Sequence, residues 1–298
     1  KLIMMTSEVI LQRLKECNVK AAVYQGSSCR DDVNSTLSAV ESAVMSAASS
    51  NVDVVLFPEL FYSGYDVGVE NLKARAISVQ SDEMKRLQSI ASNHRVAFAI
   101  GYPERADSIV YNSCCLISDT GEIILNYRKT HLWNPFGQVS YECAAFTEGS
   151  SLPVAELHIS RIGQSVRVGV LICFDIEFPE PARVLALQGA SVVFVCTANV
   201  GAWSQQVAIH SRAAENHVFV LYSNMSGHCL TSENPNVYCG QSAILDPNGR
   251  PLVQASEDAS GLFSATLEGS KYLDSVHRND YLRQRRPELY SSLVLTDK

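Results

Sequence analysis

Three apolar runs in this chain each lead into a residue that can take part in bond cleavage. DVVLF (53–57) leads into Pro58 and Glu59, IILNYR (123–128) into Lys129, and VRVGVLI (166–172) into Cys173. A fourth acid, Glu142, lies in the irregular stretch after Lys129. Charged side chains seldom stand at the end of a core strand without a partner. A glutamate, a lysine and a cysteine converging at one sheet edge would make a compact hydrolytic site. A free thiol has a pKa of ~8.5, so only a few per cent is thiolate at neutral pH. A carboxylate that accepts its proton makes it a nucleophile, and can return the proton to a leaving amine. Attack on an amide carbon creates an oxyanion. An ammonium such as Lys129 and a backbone N–H at the cysteine turn would stabilise it, at ~3–4 kcal/mol per donor.

The elements that must hold these residues are legible in outline. Val166–Ile172 suits a strand buried on both faces. Pro179 and Pro181 fit the first turn of a helix that Gly189 ends. Cys173 is therefore expected on a sharp strand-to-helix turn near helix N–H groups. Taken alone, this stretch fits a buried core thiol as well as a nucleophile. Strands are also expected at 19–25, 53–57, 96–101, 154–159, 191–196 and 218–223. A hairpin is expected from Ile109 to Lys129, and late strands at 237–246, 249–254 and 261–267, with a turn at Asp246–Gly249. Helices are expected at 31–49, in two pieces over 69–93 with Ser81 as an N-cap, and at 203–216. Residues 131–153 read as an irregular loop. Residues 1–18 read as an arm, 19–267 as one domain and 268–298 as a charged, tyrosine-rich tail. Two sets of strands alternating with helices give an α/β architecture of two packed sheets covered by helices.

The whole chain narrows the functional classes. It has 298 residues, 46% apolar and 18% charged, so a substantial core is expected and intrinsic disorder is not. The net charge of -7 argues against a nucleic-acid partner, and the RQRR at 283–286 is the one basic cluster. No apolar run approaches the ~20 residues of a membrane span, and no signal peptide is read. Nine cysteines occur without a CxxC pair. They suggest reduced thiols, no metal site and a cytoplasmic location. Cys114 and Cys115 alternate faces of one strand and read as core packing. His131 raises a papain-like Cys–His pairing. Cys173 lies mid-chain after a buried strand, unlike those proteases, so His131 reads as structural or as a support to the site from behind.

The segments FPELFYSGY (57–65), YRKTHLW (127–133) and GVLICFDIEFPE (169–180) resemble the three signatures of the nitrilase superfamily of carbon–nitrogen hydrolases. The resemblance runs from VKAAVYQ to about residue 267. It implies a four-layer αββα sandwich of two mixed sheets flanked by helices. It also implies association through the cysteine-bearing faces into a homodimer or higher oligomer, with the tail crossing to a partner subunit. The roles implied are general base for Glu59, oxyanion stabiliser for Lys129 and thioester-forming nucleophile for Cys173. Glu142 falls where many members carry a second glutamate that positions the substrate amide. No cofactor is implied. Cys173-Phe174-Asp175 is similar to the amidase and carbamoylase branches rather than the Cys-Trp-Glu of true nitrilases. Trp133 resembles a pocket-wall aromatic of aliphatic amidases, and Trp133, Phe174, Asp175 and Asn199 are the expected substrate-binding residues. The expected partner is a small amide. Glu142, Asp175 and Glu177 leave open an amine-bearing ureide such as an N-carbamoyl amine.

Overall fold

The computed structural model describes residues 18–28, 32–134, 140–201, 203–228 and 237–294. Most of the expected arm, residues 1–17, lies outside the described residues.

In chain order the strands are β1 (Asn18–Gln25), β2 (Val54–Leu56), β3 (Ala97–Ala106), β4 (Ile109–Ile117), β5 (Ile123–Arg128), β6 (Val154–Ile159) and β7 (Gln164–Ile172). There follow β8 (Val192–Thr197), β9 (Phe219–Asn224), β10 (Ser226–His228), β11 (Val237–Cys239), β12 (Ala243–Leu245), β13 (Pro251–Gln254) and β14 (Gly261–Glu268). Twelve of them form two six-stranded sheets, ordered β14-β1-β2-β3-β4-β5 and β13-β12-β9-β8-β7-β6. Each sheet has three parallel central strands, β1-β2-β3 and β7-β8-β9, extended by antiparallel neighbours. The mixed character follows from the connections. Helical crossovers join the parallel strands, and tight turns join the hairpins β3-β4-β5 and β6-β7.

The apolar face of each sheet meets the other. Val23, Leu56, Ala99 and Cys114 of the first sheet share one core with Val168, Val170, Phe194 and Leu221 of the second. Outside the first sheet lie α1 (Val33–Ser49) and α3 (Asp82–His94), packed through Leu37, Val40, Val44, Leu87 and Ile90. Asp32 caps α1, and Ser81 caps α3 through Met84 N at 3.1 Å. The short α2 (Val69–Ala74) precedes α3. Outside the second sheet lie α5 (Pro179–Leu187) and α6 (Trp203–Asn216), and α7 (Gly269–Arg278) follows β14. The chain is therefore an α/β protein of two mixed sheets flanked by helices.

One local expectation changes and another gains detail. Residues 131–153 contain a short helix, α4 (Tyr141–Ala145), whose N-cap Ser140 accepts from Cys143 N. Five residues are too few for a hydrophobic period to show. Cys173 is followed by a 3-10 turn, Cys173–Glu177, and α5 begins only at Pro179. Cys173 thus sits on the expected strand-to-helix turn, which has 3-10 geometry.

Candidate active site

Glu59 is delivered by the loop that leaves β2. Phe57 N continues the sheet by donating to Ala99 O (2.8 Å), after which the chain turns away at Pro58. Gly101 on β3 lets that loop lie flat on the strand. A Cβ there would stand 2.4 Å from Leu60 N and 2.7 Å from Pro58 O. The loop also meets the second sheet, where Glu59 N donates to Thr197 O (3.4 Å) at the end of β8.

The Glu59 carboxylate is fully enclosed. Oε1 accepts from Lys129 Nζ and from Asn112 Nδ2, both at 2.8 Å. Oε2 accepts from the backbone N–H of Ala198 at 3.1 Å. Lys129, at the end of β5, is held by its own backbone, donating to Asn112 O and accepting from Gly149 N, each at 2.8 Å. Its ammonium also lies 2.8 Å from both oxygens of Glu142 on α4. Glu142 Oε1 accepts from Tyr65 Oη (2.6 Å), and Oε2 from Trp133 N (3.0 Å). One buried cation thus sits between two buried carboxylates, and all three side chains are shielded from solvent.

Cys173 completes the group from the other sheet. Its φ of +48° is in the left-handed region, which a residue with a Cβ adopts at a cost of ~1 kcal/mol or more. Such strain at a strand end aims the side chain out of the sheet. The thiol is buried, with Gln205 Nε2 3.3 Å from Sγ. Asp175 locks the turn. Its carboxylate accepts from Ile172 N (3.0 Å), just before Cys173, and from Tyr127 Oη (2.7 Å), Thr130 Oγ1 (3.0 Å) and His131 N (2.9 Å) around Lys129. The His131 ring also contacts it, at 2.8 Å. One fully buried acid therefore ties the lysine strand to the cysteine turn.

The electrostatics follow from burial and charge order. Burial lifts the Glu59 carboxyl above its ordinary value; Lys129 opposes the lift and Glu142 adds to it. Burial alone would favour a neutral Lys129, but Glu142 and Glu59 reverse this and hold the ammonium well above its ordinary value. Burial also pushes the Cys173 thiol up; Glu59 adds to this and Lys129 opposes it. The resting site is a protonated thiol beside a carboxylate of raised proton affinity, with a permanent ammonium between the acids. That arrangement can move a proton from sulfur to carboxylate as the sulfur attacks, and can meet an oxyanion with positive charge.

The structure brings Glu59, Lys129, Glu142 and Cys173 together, and the expected pocket residues lie at several places around them. Trp133 touches Glu142 through its backbone, and the residue is 46% exposed. Phe174 meets Phe178 edge-on at 5.0 Å, and Phe178 stacks on His131 at 4.4 Å. Asn199 is buried and bonded to Tyr222 and Asn224. Asp175, also expected to bind substrate, is enclosed by protein donors. It is 0% exposed, and its hydrogen bonds join the Lys129 strand to the Cys173 turn. Sequence reasoning missed Asn112, Tyr65 and Gln205. Tyr65 closes the FYSGY segment and Asn112 stands in the hairpin, so both had a positional signal; Gln205 had none. His131 contacts Asp175 through its backbone N–H and its ring. Among the described residues, no group of three or more His, Cys, Asp and Glu is arranged to hold a metal ion, no cysteine is in a disulfide, and no helix is long and apolar enough to cross a membrane.

Two mixed sheets that enclose a buried Glu-Lys-Glu cluster beside a strained cysteine define a hydrolase scaffold for carbon–nitrogen bonds. The carbon–nitrogen hydrolase family model matches residues 20–272, and the chain belongs to that family. It is 38% identical to a protein described as a hydrolase in the pqqF 5' region of Pseudomonas protegens, over 92% of each chain. It is 30% identical to the N-carbamoylputrescine amidase of Solanum tuberosum, over 91% of this chain and 93% of that one. Among solved structures it matches a mutant of the nitrilase-superfamily amidase from Nesterenkonia sp. AN1. There the TM-score is 0.76 and the identity 27%, over 93% of this chain and 97% of that one. That structure shows covalent addition of the acetamide moiety of fluoroacetamide at the active-site cysteine. The chain is thus an amidase-type nitrilase-superfamily hydrolase of carbon–nitrogen bonds.

Proposed function

We propose that the chain hydrolyses a small linear carboxamide to the carboxylic acid and ammonia through a thioester on Cys173. The observation that carries this reading is Lys129 Nζ, buried at 2.8 Å from both Glu59 and Glu142 and acting electrostatically on Cys173. Glu59 takes the thiol proton as Sγ attacks the amide carbon. Lys129 stabilises the oxyanion, and Glu59 returns the proton to the departing ammonia. Water, activated by the same carboxylate, then hydrolyses the thioester. Glu142 orients Lys129 and the amide nitrogen. Trp133 and Phe174 supply apolar wall for a short acyl chain. The covalent adduct at the cysteine of the Nesterenkonia amidase supports the nucleophile assignment.

A second reading keeps the machinery and changes the substrate to an N-carbamoyl amine, releasing ammonia and carbon dioxide. It draws on the potato relative and on Glu177, a half-buried carboxylate 3.3 Å from Gln205 Nε2 that could receive an ammonium group. Ammonia release from a panel of short carboxamides, N-carbamoyl amines and nitriles separates the readings. Carboxamide turnover is expected to lead. Turnover confined to N-carbamoyl amines selects the second reading, and a folded protein that turns over none of them overturns both. A homo-oligomer with the tail at a subunit interface and a cytoplasmic location complete the proposal; a sedimentation profile and the localisation of a tagged protein test them.

A further inference from the structure

The sulfur of Cys173 has a neighbour that the charged groups do not explain. Gln205, in the first turn of α6 and almost fully buried, sets Nε2 3.3 Å from Cys173 Sγ and 3.3 Å from Glu177 Oε1. Its Oε1 accepts from Tyr222 Oη (2.9 Å) and Thr197 Oγ1 (3.1 Å). The two ends of an amide differ only in what they donate and accept, so partners decide its orientation. Here the partners agree. Gly201 N donates to Asn199 Oδ1 (3.2 Å), which leaves Asn199 Nδ2 facing Tyr222 Oη at 3.3 Å. The Tyr222 oxygen receives that N–H and has its own hydrogen to give to Gln205 Oε1. The NH2 end of Gln205 must then face sulfur and the Glu177 carboxylate, which only accepts.

We infer that Asn199, Tyr222 and Gln205 form a hydrogen-bond relay that ends in an N–H donor fixed on Cys173 Sγ. The inference rests on the reading of Cys173 as the nucleophile. Gln205 touches the reacting sulfur, while Tyr222 and Asn199 are positioning residues that act through it. The physical need is plain. Burial and the nearby carboxylates disfavour the thiolate, and a donor aimed at the charged form favours it. A neutral amide does this without burying a second cation beside Lys129. Each bond in the chain polarises the next, and burial keeps water from competing. The relay also gives Asn199 a role distant from the substrate contact expected of it.

The test is the pH dependence of iodoacetamide alkylation at Cys173, read by peptide mapping so that the exposed Cys143 does not count. It is run on the full chain as wild type, Gln205→Leu, Gln205→Glu, Tyr222→Phe and Cys173→Ala. Gln205→Leu is expected to slow alkylation at pH 7 by about tenfold and to raise the inflection by about one pH unit. Gln205→Glu, which adds negative charge, shifts it further. Tyr222→Phe keeps the ring and gives a smaller shift in the same direction, and it carries the test if Gln205→Leu does not fold. In turnover, kcat falls with little change in KM. A Cys173 profile superimposable on wild type in Gln205→Leu, or in Tyr222→Phe where Gln205→Leu does not fold, would overturn the relay whatever the melting temperature, leaving at most a packing role. Full turnover by Cys173→Ala would instead overturn the nucleophile reading, so the two failures are distinct.

Discussion

Lys129 Nζ and Glu59 Oε1 meet at 2.8 Å with neither side chain open to solvent. The pair joins the end of β5 to the loop after β2, and Glu142 closes it from α4. A lone buried charge here would cost several kcal/mol, so each group depends on the others.

Lys129→Met removes the cation and leaves two carboxylates facing each other in the interior. Turnover is expected to fall by about 10²–10³ or more. Stability is expected to fall by about 3–5 kcal/mol. A urea melt beside kcat/KM reads both. A Lys129→Met protein with wild-type turnover would remove the lysine from the chemistry.

Asp175→Asn keeps the volume but replaces one carboxylate oxygen by a donor, facing N–H and O–H groups that need acceptors. Loss of about 1–3 kcal/mol is expected for each donor left unsatisfied. Because the acid joins the Lys129 strand to the Cys173 turn, kcat should fall more than KM rises. Steady-state kinetics of this variant at a temperature well below its melting point checks the split.

Gly101→Ala tests the seat of Glu59. The new methyl would collide with the backbone of Pro58 and Leu60, which cannot yield as a flexible side chain could. The loop must shift, and a displacement near 1 Å is enough to cost about 10²-fold in rate. Activity is expected to drop by that order while the far-UV spectrum stays native.

Alkaline pH should destabilise the fold, through buried thiols as well as through the site. Burial lifts Cys115 to about 12. Between an unfolded value near 9 and that folded value, the native state holds a proton that the unfolded chain has lost. The native state then binds more protons, so stability falls as pH rises through this window. Cys115→Ala should flatten the slope of unfolding free energy against pH above about 9, seen in urea melts from pH 7 to 10.5. An unchanged slope would show that Cys115 does not contribute.

Glu59, Lys129 and Cys173 were legible because each follows an apolar run long enough to read as a strand. A reactive side chain at such an end stands out against the run before it. The alternation of strands and helices gave the two sheets in the same way, though not the strand order, which depends on contacts such as β1 with β14, far apart in sequence. Glu142 could be named from its loop position, but its helix is too short to show a period. The five protein donors around Asp175 were not legible, because a carboxylate next to that cysteine looks the same in sequence whatever it faces. Gln205 was invisible: its place depends on Tyr222 and Thr197, which reach it from neighbouring strands of the second sheet.

The direct measurement is the mass of the protein acid-quenched during turnover of a short carboxamide, followed by peptide mapping. An added acyl group on the peptide bearing Cys173, released by hydroxylamine and absent from Cys173→Ala, is the expected result. An acyl group on any other residue, or undiminished turnover by Cys173→Ala, would contradict the thioester route.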